Sequence, residues 1–346
     1  MYRGLLLLVF LMACTQQPKA PLVLEEVSLG SSDEIAAPQF LSEWKLFDDL
    51  SGLQPASSVH PYEVNAPLFS DYAFKARFVH LPTETTLDYH SSDILEIPEQ
   101  GILIKNFFYP SDFEEPLGDR RLMETRLLVN ESDGWKPYTY IWNKDQTDAE
   151  LAITGASIPI SWKDRHGQLQ KIDYSVPNLN QCKSCHKRGG EVMPIGFTAR
   201  QLNNGAQLQS WSEKGLLGAL PEDHGAIPRL ASWANEGLNL DERARSWLET
   251  NCAHCHREDG PAKNTGLYLL AEETDSYRLG INKTPVAAGR GSGGLKYAIA
   301  PGQPDQSILV HRIVSLDPGV MMPELGRKMV HDEGVELVKD WIASLD

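Results

Sequence analysis

Cys182-Lys183-Ser184-Cys185-His186 and Cys252-Ala253-His254-Cys255-His256 are two copies of one pentad, and they decide how the rest of the chain is read. Cys-x-x-Cys-His is the attachment signature of c-type haem. Each thiol adds across a haem vinyl group, and the adjacent imidazole is offered to the iron. One helical turn sets the two sulfurs under the two vinyls and drops the histidine beneath the metal. With 5 Cys among 346 residues, chance would supply on the order of 0.002 such pentads, so two copies are a signal. The expected cofactors are two covalently bound c-type haems (iron). Cys182, Cys185, Cys252 and Cys255 would attach them, and His186 and His256 would be the proximal ligands. Structural zinc is a poor rival because the pairs lie too far apart for a zinc ribbon. A thioredoxin-like redox pair needs one copy in a strand–helix setting, and disulfides would leave the paired histidines unexplained.

The wider composition is that of a globular chain, with 41% hydrophobic and 23% charged residues and a length that suits two or three domains. Its 32 basic residues face 47 acidic ones, for a net charge of −15. That balance argues against nucleic acid or an anionic membrane surface as the main partner, because phosphates must be met by Lys and Arg.

The chain starts Met1-Tyr2-Arg3 and runs apolar over 4–13, too short for a ~30 Å hydrocarbon core but right for a secretory signal. Leu11-Met12-Ala13-Cys14 resembles a bacterial lipobox. The resemblance implies a signal peptide over 1–13, cleavage before Cys14 and lipid attachment at Cys14; an ordinary signal peptide is the alternative. Thr15 after the cysteine points, by the same analogy, to the outer membrane. The odd cysteine count is then explained, with one thiol for lipid and four for two haems.

Before the second pentad, Leu240, Ala244, Trp247 and Leu248 share one helical face, and 332–345 carries a second amphipathic pattern with Asp332 as its N-cap. A helix entering the pentad and a closing C-terminal helix resemble a class I cytochrome c domain. That resemblance implies a sixth ligand from a methionine ahead of the last helix, where a Met-Pro pair selects Met322 and leaves Met321 as rival. The first pentad is less regular. Pro177 precedes it, 178–181 shows no helical periodicity, and the helix that would lead into the pentad is expected to be missing. Met193, also before a proline, and His224 compete for its sixth position; if neither binds, that haem is open.

Residues 14–40 read as a flexible tether and 41–177 as a β-rich domain, followed by a first haem module at 178–238 and a second cytochrome c-like domain at 239–346. Hairpins are expected where 122–129 meets 135–143 and where 157–163 meets 168–176. Trp135, Tyr138, Tyr140 and Trp142 read as sandwich core rather than a binding face. The predicted fold class is a multidomain α+β chain: an N-terminal β-sandwich-like domain followed by mainly α-helical cytochrome c-type haem modules.

Over roughly 40–346 the sequence resembles a family of exported dihaem c-type cytochromes of Gram-negative bacteria with an N-terminal β region. Glu124-Thr125-Arg126-Leu127-Leu128, Tyr140-Ile141-Trp142-Asn143, the first pentad with Gln181, and Met322-Pro323 carry the likeness. The resemblance implies a lipid-anchored electron carrier on the periplasmic side of the outer membrane or the cell surface. Its partners would be redox proteins, with a periplasmic dehydrogenase as donor by analogy. A dihaem cytochrome c peroxidase-like enzyme with one open haem is the alternative.

Overall fold

The sheet grows out of a period of two. In the strand Ile102–Pro110, Ile102, Ile104 and Phe108 enter one buried cluster, while Leu103, Phe107 and Tyr109 enter others on the opposite face. The computed structural model describes residues 37–116 and 118–346; the signal segment, Cys14 and nearly all of the tether lie outside the described residues.

After a 3-10 turn at Leu41–Trp44 come β1 (Phe47–Asp49) and β2 (Gln54–Pro55), a small hairpin. Next, β3 (Val59–Pro61), β4 (Phe74–His80), β5 (Ile102–Pro110), β6 (Arg120–Glu131), β7 (Gly134–Trp142) and β8 (Ala149–Leu151) form a six-stranded antiparallel sheet in sequence order. The β6–β7 register brings Glu131 opposite Gly134, which leaves Ser132 and Asp133 as the turn. Gly134 there has φ of 113°, a conformation that favours glycine. β9 (Ala156–Lys163) and β10 (Leu169–Val176) form a separate hairpin, its turn held by Asp164, whose carboxylate accepts from the backbone N–H of His166 and Gln168.

The chain from Pro38 to Asp346 forms one compact unit. One face of the sheet is covered by the N-terminal segment through Leu41, Leu46 and Leu53. The other face is covered in two places. At one end the β9–β10 hairpin packs Trp162, Tyr174 and Val176 against Phe107, Tyr109 and Met123. At the other end, α2 (Ala199–Leu202) and α3 (Gln207–Glu213) set Leu202, Leu208 and Trp211 against Val79, Leu103 and Leu128. Between these two patches lies α1 (Leu179–His186), the first pentad, against β7. β11 (Lys187–Arg188) and β12 (Glu191–Val192) follow as a minimal hairpin. The last cluster joins α4 (Leu240–Leu248), α5 (Ile308–Ile313) and α6 (Asp332–Ala343) through Trp247, Leu248, Ile313, Val338 and Trp341.

Two expectations are corrected. The C-terminal part is not made of mainly α-helical modules: helix makes up 22% of the described residues and strand 26%. The N-terminal region is one antiparallel sheet with a hairpin on part of a face, not a sandwich of two sheets. The physical reason lies between the second pentad and α5, where the chain makes only turns and 3-10 segments. Gly280, Gly289, Gly293 and Gly294 take positive φ there, and Pro261, Pro285, Pro301 and Pro304 interrupt helical hydrogen bonding. The aromatic residues of β7 are core, but not one face: Tyr140 and Trp142 enter the cluster under the N-terminal segment, and Trp135 packs on the opposite one.

Candidate cofactor site

The first pentad is a helix of its own. Asn178 caps α1 by accepting from Gln181 N at 2.9 Å, and Gln181 reaches back to Asn178 N at the same distance. This reciprocal capping box starts a helix directly after Pro177 without any preceding turn. The second pentad is reached by α4, which widens into a π-helical turn over Glu249–Ala253. Such turns re-aim side chains and are frequent at functional sites.

The two pentads meet. Gly189 N donates to Asp259 O at 2.9 Å, and the Arg188 guanidinium bridges Asp259, at 2.7 Å from Nε, and Asp93. Cys185 lines the cavity of the second pentad, and His254 lines the cavities of the first. A cavity of about 440 Å³ is bounded by Cys252, Cys255 and His256 together with Val286, Ala288, Ile308, Leu309 and Met322. Two further cavities, of about 190 and 110 Å³, share Cys185, His186, His254 and Lys105. All four described cysteines are free, and burial raises each thiol, to about 12 at Cys252 and about 11 at Cys255.

The closing histidines of the two pentads are set in the same tautomer. His186 Nδ1 lies 2.8 Å from the carbonyl oxygen of Met193, which can only accept, so Nδ1 carries the proton. His256 Nδ1 lies 3.3 Å from Thr265 Oγ1, whose own hydrogen is given to Ala262 O at 2.8 Å. In each ring the lone pair is therefore on Nε2, the nitrogen a metal takes. Burial holds both rings neutral, pushing His186 and His256 down to about 4. His331 is the opposite case. Trp247 Nε1 donates to its Nδ1 at 2.9 Å, so Nε2 carries the proton and offers no lone pair.

Where the sequence-predicted ligands lie is equally informative. Met322 lines both the 440 Å³ and the 190 Å³ cavities; Met321 is buried, 6% exposed, and lines neither. Arg327 holds the Met322 loop by donating to the carbonyls of Ser315, Met322 and Met329 at 2.7, 3.0 and 3.1 Å. Met193 places its carbonyl behind His186, on the side away from Nε2. His224 is exposed in a 3-10 turn and lines none of the cavities.

Sequence reasoning missed a row of cations. The register sets Arg77 opposite Lys105 and Lys105 opposite Arg126, on the face that α1 covers. Like charges directly opposite one another are unfavourable unless an anion joins them. Glu124 neutralises only one member, holding Arg126 through bonds of 2.6 and 2.9 Å while also accepting from Tyr174 at 2.5 Å. Lys105 is pushed down to about 7, first by burial and then by Arg77 and Arg126. Lys105 and Arg77 line the smaller cavities without an ion pair among the described residues.

Taken together, the lining suits a haem, which has a flat apolar body, two vinyl edges and two carboxylates. Paired thiols stand beside neutral Nε2 donors, apolar walls surround them, and two members of the cation row, Arg77 and Lys105, have no carboxylate partner among the described residues. Among the described residues, no three His, Cys, Asp or Glu side chains converge as a metal cage. Compared with protein families, curated proteins and solved structures, the chain matches none.

Proposed function

We propose that the protein is a dihaem c-type cytochrome that passes electrons between redox partner proteins. The observation that carries the reading is that two attachment pentads line adjoining cavities, each with its histidine locked as the Nε2 donor. Bound haem would supply one-electron chemistry at iron. Cys182, Cys185, Cys252 and Cys255 would hold the two groups, and His186 and His256 would ligate them. The Met193 carbonyl and the Thr265 hydroxyl keep these rings oriented, Met322 offers a thioether beside His256, and Arg327 fixes that loop. Lys105 and Arg77 would meet carboxylates, and the apolar walls exclude water, which favours fast electron exchange with little reorganisation.

The same reading extends to location. Lipid on Cys14 would anchor the protein to the periplasmic side of the outer membrane or the cell surface of a Gram-negative bacterium. Among the described residues no helix is long and apolar enough to cross a membrane. Val286 and Leu325 stand exposed beside the larger cavity, 70% and 40% accessible, and offer apolar points for a docking partner. The net charge of −15 favours a basic partner whose association weakens as salt rises.

The test is a mass spectrum and a pyridine haemochrome assay on the purified mature protein, followed by redox titration. Two thioether-linked haems with reversible reduction are expected. A chain carrying fewer than two haems would overturn the reading, and rapid peroxide turnover would transfer it to the peroxidase class.

A further inference from the structure

We infer that His254, the middle residue of the second pentad, is the distal axial ligand of the iron held by His186; the inference rests on the dihaem reading above. His186 and His254 come from different elements and line the same two cavities, and His254 also lines the 440 Å³ cavity of its own pentad. Three of the four imidazoles lining the cavities have Nδ1 engaged: His186 by Met193, His256 by Thr265 and His331 by Trp247. His254 differs, because its Nδ1 is buried with no hydrogen-bond partner. A buried ring nitrogen without a partner calls for an explanation. A metal taken at Nδ1 supplies one, since that nitrogen's lone pair would then be engaged.

The competing donors differ in position and tautomer. Met193 lines the smallest cavity beside both rings while its carbonyl accepts from the proximal one, and stands as the rival that the ligand spectra separate; His331 has its proton on Nε2, and His224 lines none of the cavities. Met322 lines the cavity of His256 and the 190 Å³ cavity of His186; with His254 given to the first iron, Met322 would serve the second. The assignment gives the first haem two imidazoles and the second an imidazole and a thioether, a pairing that sets the second at the higher potential. It also couples the sites: the ligand of one iron is the chain neighbour of Cys255, a thioether of the other haem.

The experiment uses the mature holoprotein in four forms: wild type, His254→Ala, His254→Met and His224→Ala. Haem number is read by mass, and ligand pairs by electron paramagnetic resonance and near-infrared magnetic circular dichroism. Wild type should show one bis-histidine and one histidine–methionine haem. His254→Ala should keep two haems while the bis-histidine signal gives way to one high-spin haem, restored to low spin by added imidazole. His254→Met should convert that signal to histidine–methionine, and His224→Ala should change nothing. A wild type without a bis-histidine signal overturns the inference even if the alanine variant fails to fold, as does a bis-histidine signal that survives in either His254 variant. Fewer than two haems in wild type is a different result and ends the dihaem reading itself.

Discussion

His186 donates its Nδ1 proton to the carbonyl oxygen of Met193, 2.8 Å away, so the main chain that leaves the first pentad returns to aim its histidine. The β11–β12 hairpin makes the return possible, and Met193 N donates to His186 O at 2.8 Å to close it. The peptide group of Met193 thus orients His186, while the residue also lines the 110 Å³ cavity. Met193→Ala should retain both haems and their low-spin spectra, with at most a loss of about 1 kcal/mol from reduced packing. Appearance of a high-spin haem in Met193→Ala would show that its sulfur is a ligand.

Met322 and Met321 separate cleanly. Removing the thioether in Met322→Ala should leave the second haem high-spin and lower its potential by a sizeable part of the ~0.8 V that axial ligation spans. Met321→Ala should leave spectrum and potential unchanged and cost about 2–4 kcal/mol in unfolding free energy, because its side chain is buried. Spectroelectrochemistry and denaturant titration on both variants read the two effects, and an exchange of the phenotypes would reverse the assignment.

How much of this was legible beforehand depends on range. The pentads announce themselves because the whole pattern lies within five residues. His254 carries no signal of its own between two cysteines, since what marks it, a shared cavity with His186, exists only after folding. The row Arg77, Lys105, Arg126 needs three strands in register before it is a row at all. By contrast, α1 was visible in principle: Asn178 and Gln181 spell a capping box, but a search for apolar periodicity cannot find a helix of eight residues. The excess of helix expected after the first pentad came from the two amphipathic segments, which say nothing about the glycine- and proline-punctuated chain between them.

Lys105 should tune the first haem. A positive charge favours the ferrous state, by about 1–2 kcal/mol at ~10 Å and an effective dielectric near 20. Lys105→Met should therefore lower that potential by tens of millivolts, at about 59 mV per tenfold. Because burial and its cationic neighbours push Lys105 down to about 7, its charge is lost as pH rises through neutrality. The wild-type potential should fall with rising pH across this window, while that of the variant stays flatter. Equal slopes in the two proteins would remove Lys105 from the account.

Asp71 fastens the Met322 loop to the sheet region. Its Oδ1 accepts from Lys328 N at 2.7 Å and from Met329 N at 2.8 Å. Asp71→Asn keeps one oxygen able to accept both, whereas Asp71→Ala strands two N–H groups at about 1–3 kcal/mol each. Burial raises the Asp71 carboxyl above its usual range, with the two amide bonds opposing. The folded state therefore binds that proton more tightly than the unfolded chain, and stability contributed by this group falls as pH rises through the interval between the two values. Asp71→Asn should remove that fall. Urea unfolding across the acid range measures both effects, and an alanine variant as stable as the asparagine one would contradict the role given to the oxygen.

Arg188, just past the first pentad, holds Asp259, just past the second, and also pairs with Asp93 from the loop before β5; the contribution of the Asp93 pair should be visible at low pH. Its hydrogen bonds, opposed by burial, take Asp93 down to about 2. For a carboxyl depressed in the folded state, the stabilisation is present above the unfolded value near 4 and is lost as pH falls through about 2. Two pKa units correspond to nearly 3 kcal/mol, but the Asp93 side chain is 33% exposed, and screening reduces the expectation to about 1 kcal/mol. Arg188→Ala should lose that amount at pH 7 and nothing further at pH near 2, as read from urea midpoints. If the bridge also sets the spacing of the pentads, the same variant alters the magnetic interaction between the two ferric irons at neutral pH. Unchanged spin coupling with lowered stability would confine Arg188 to a structural tie.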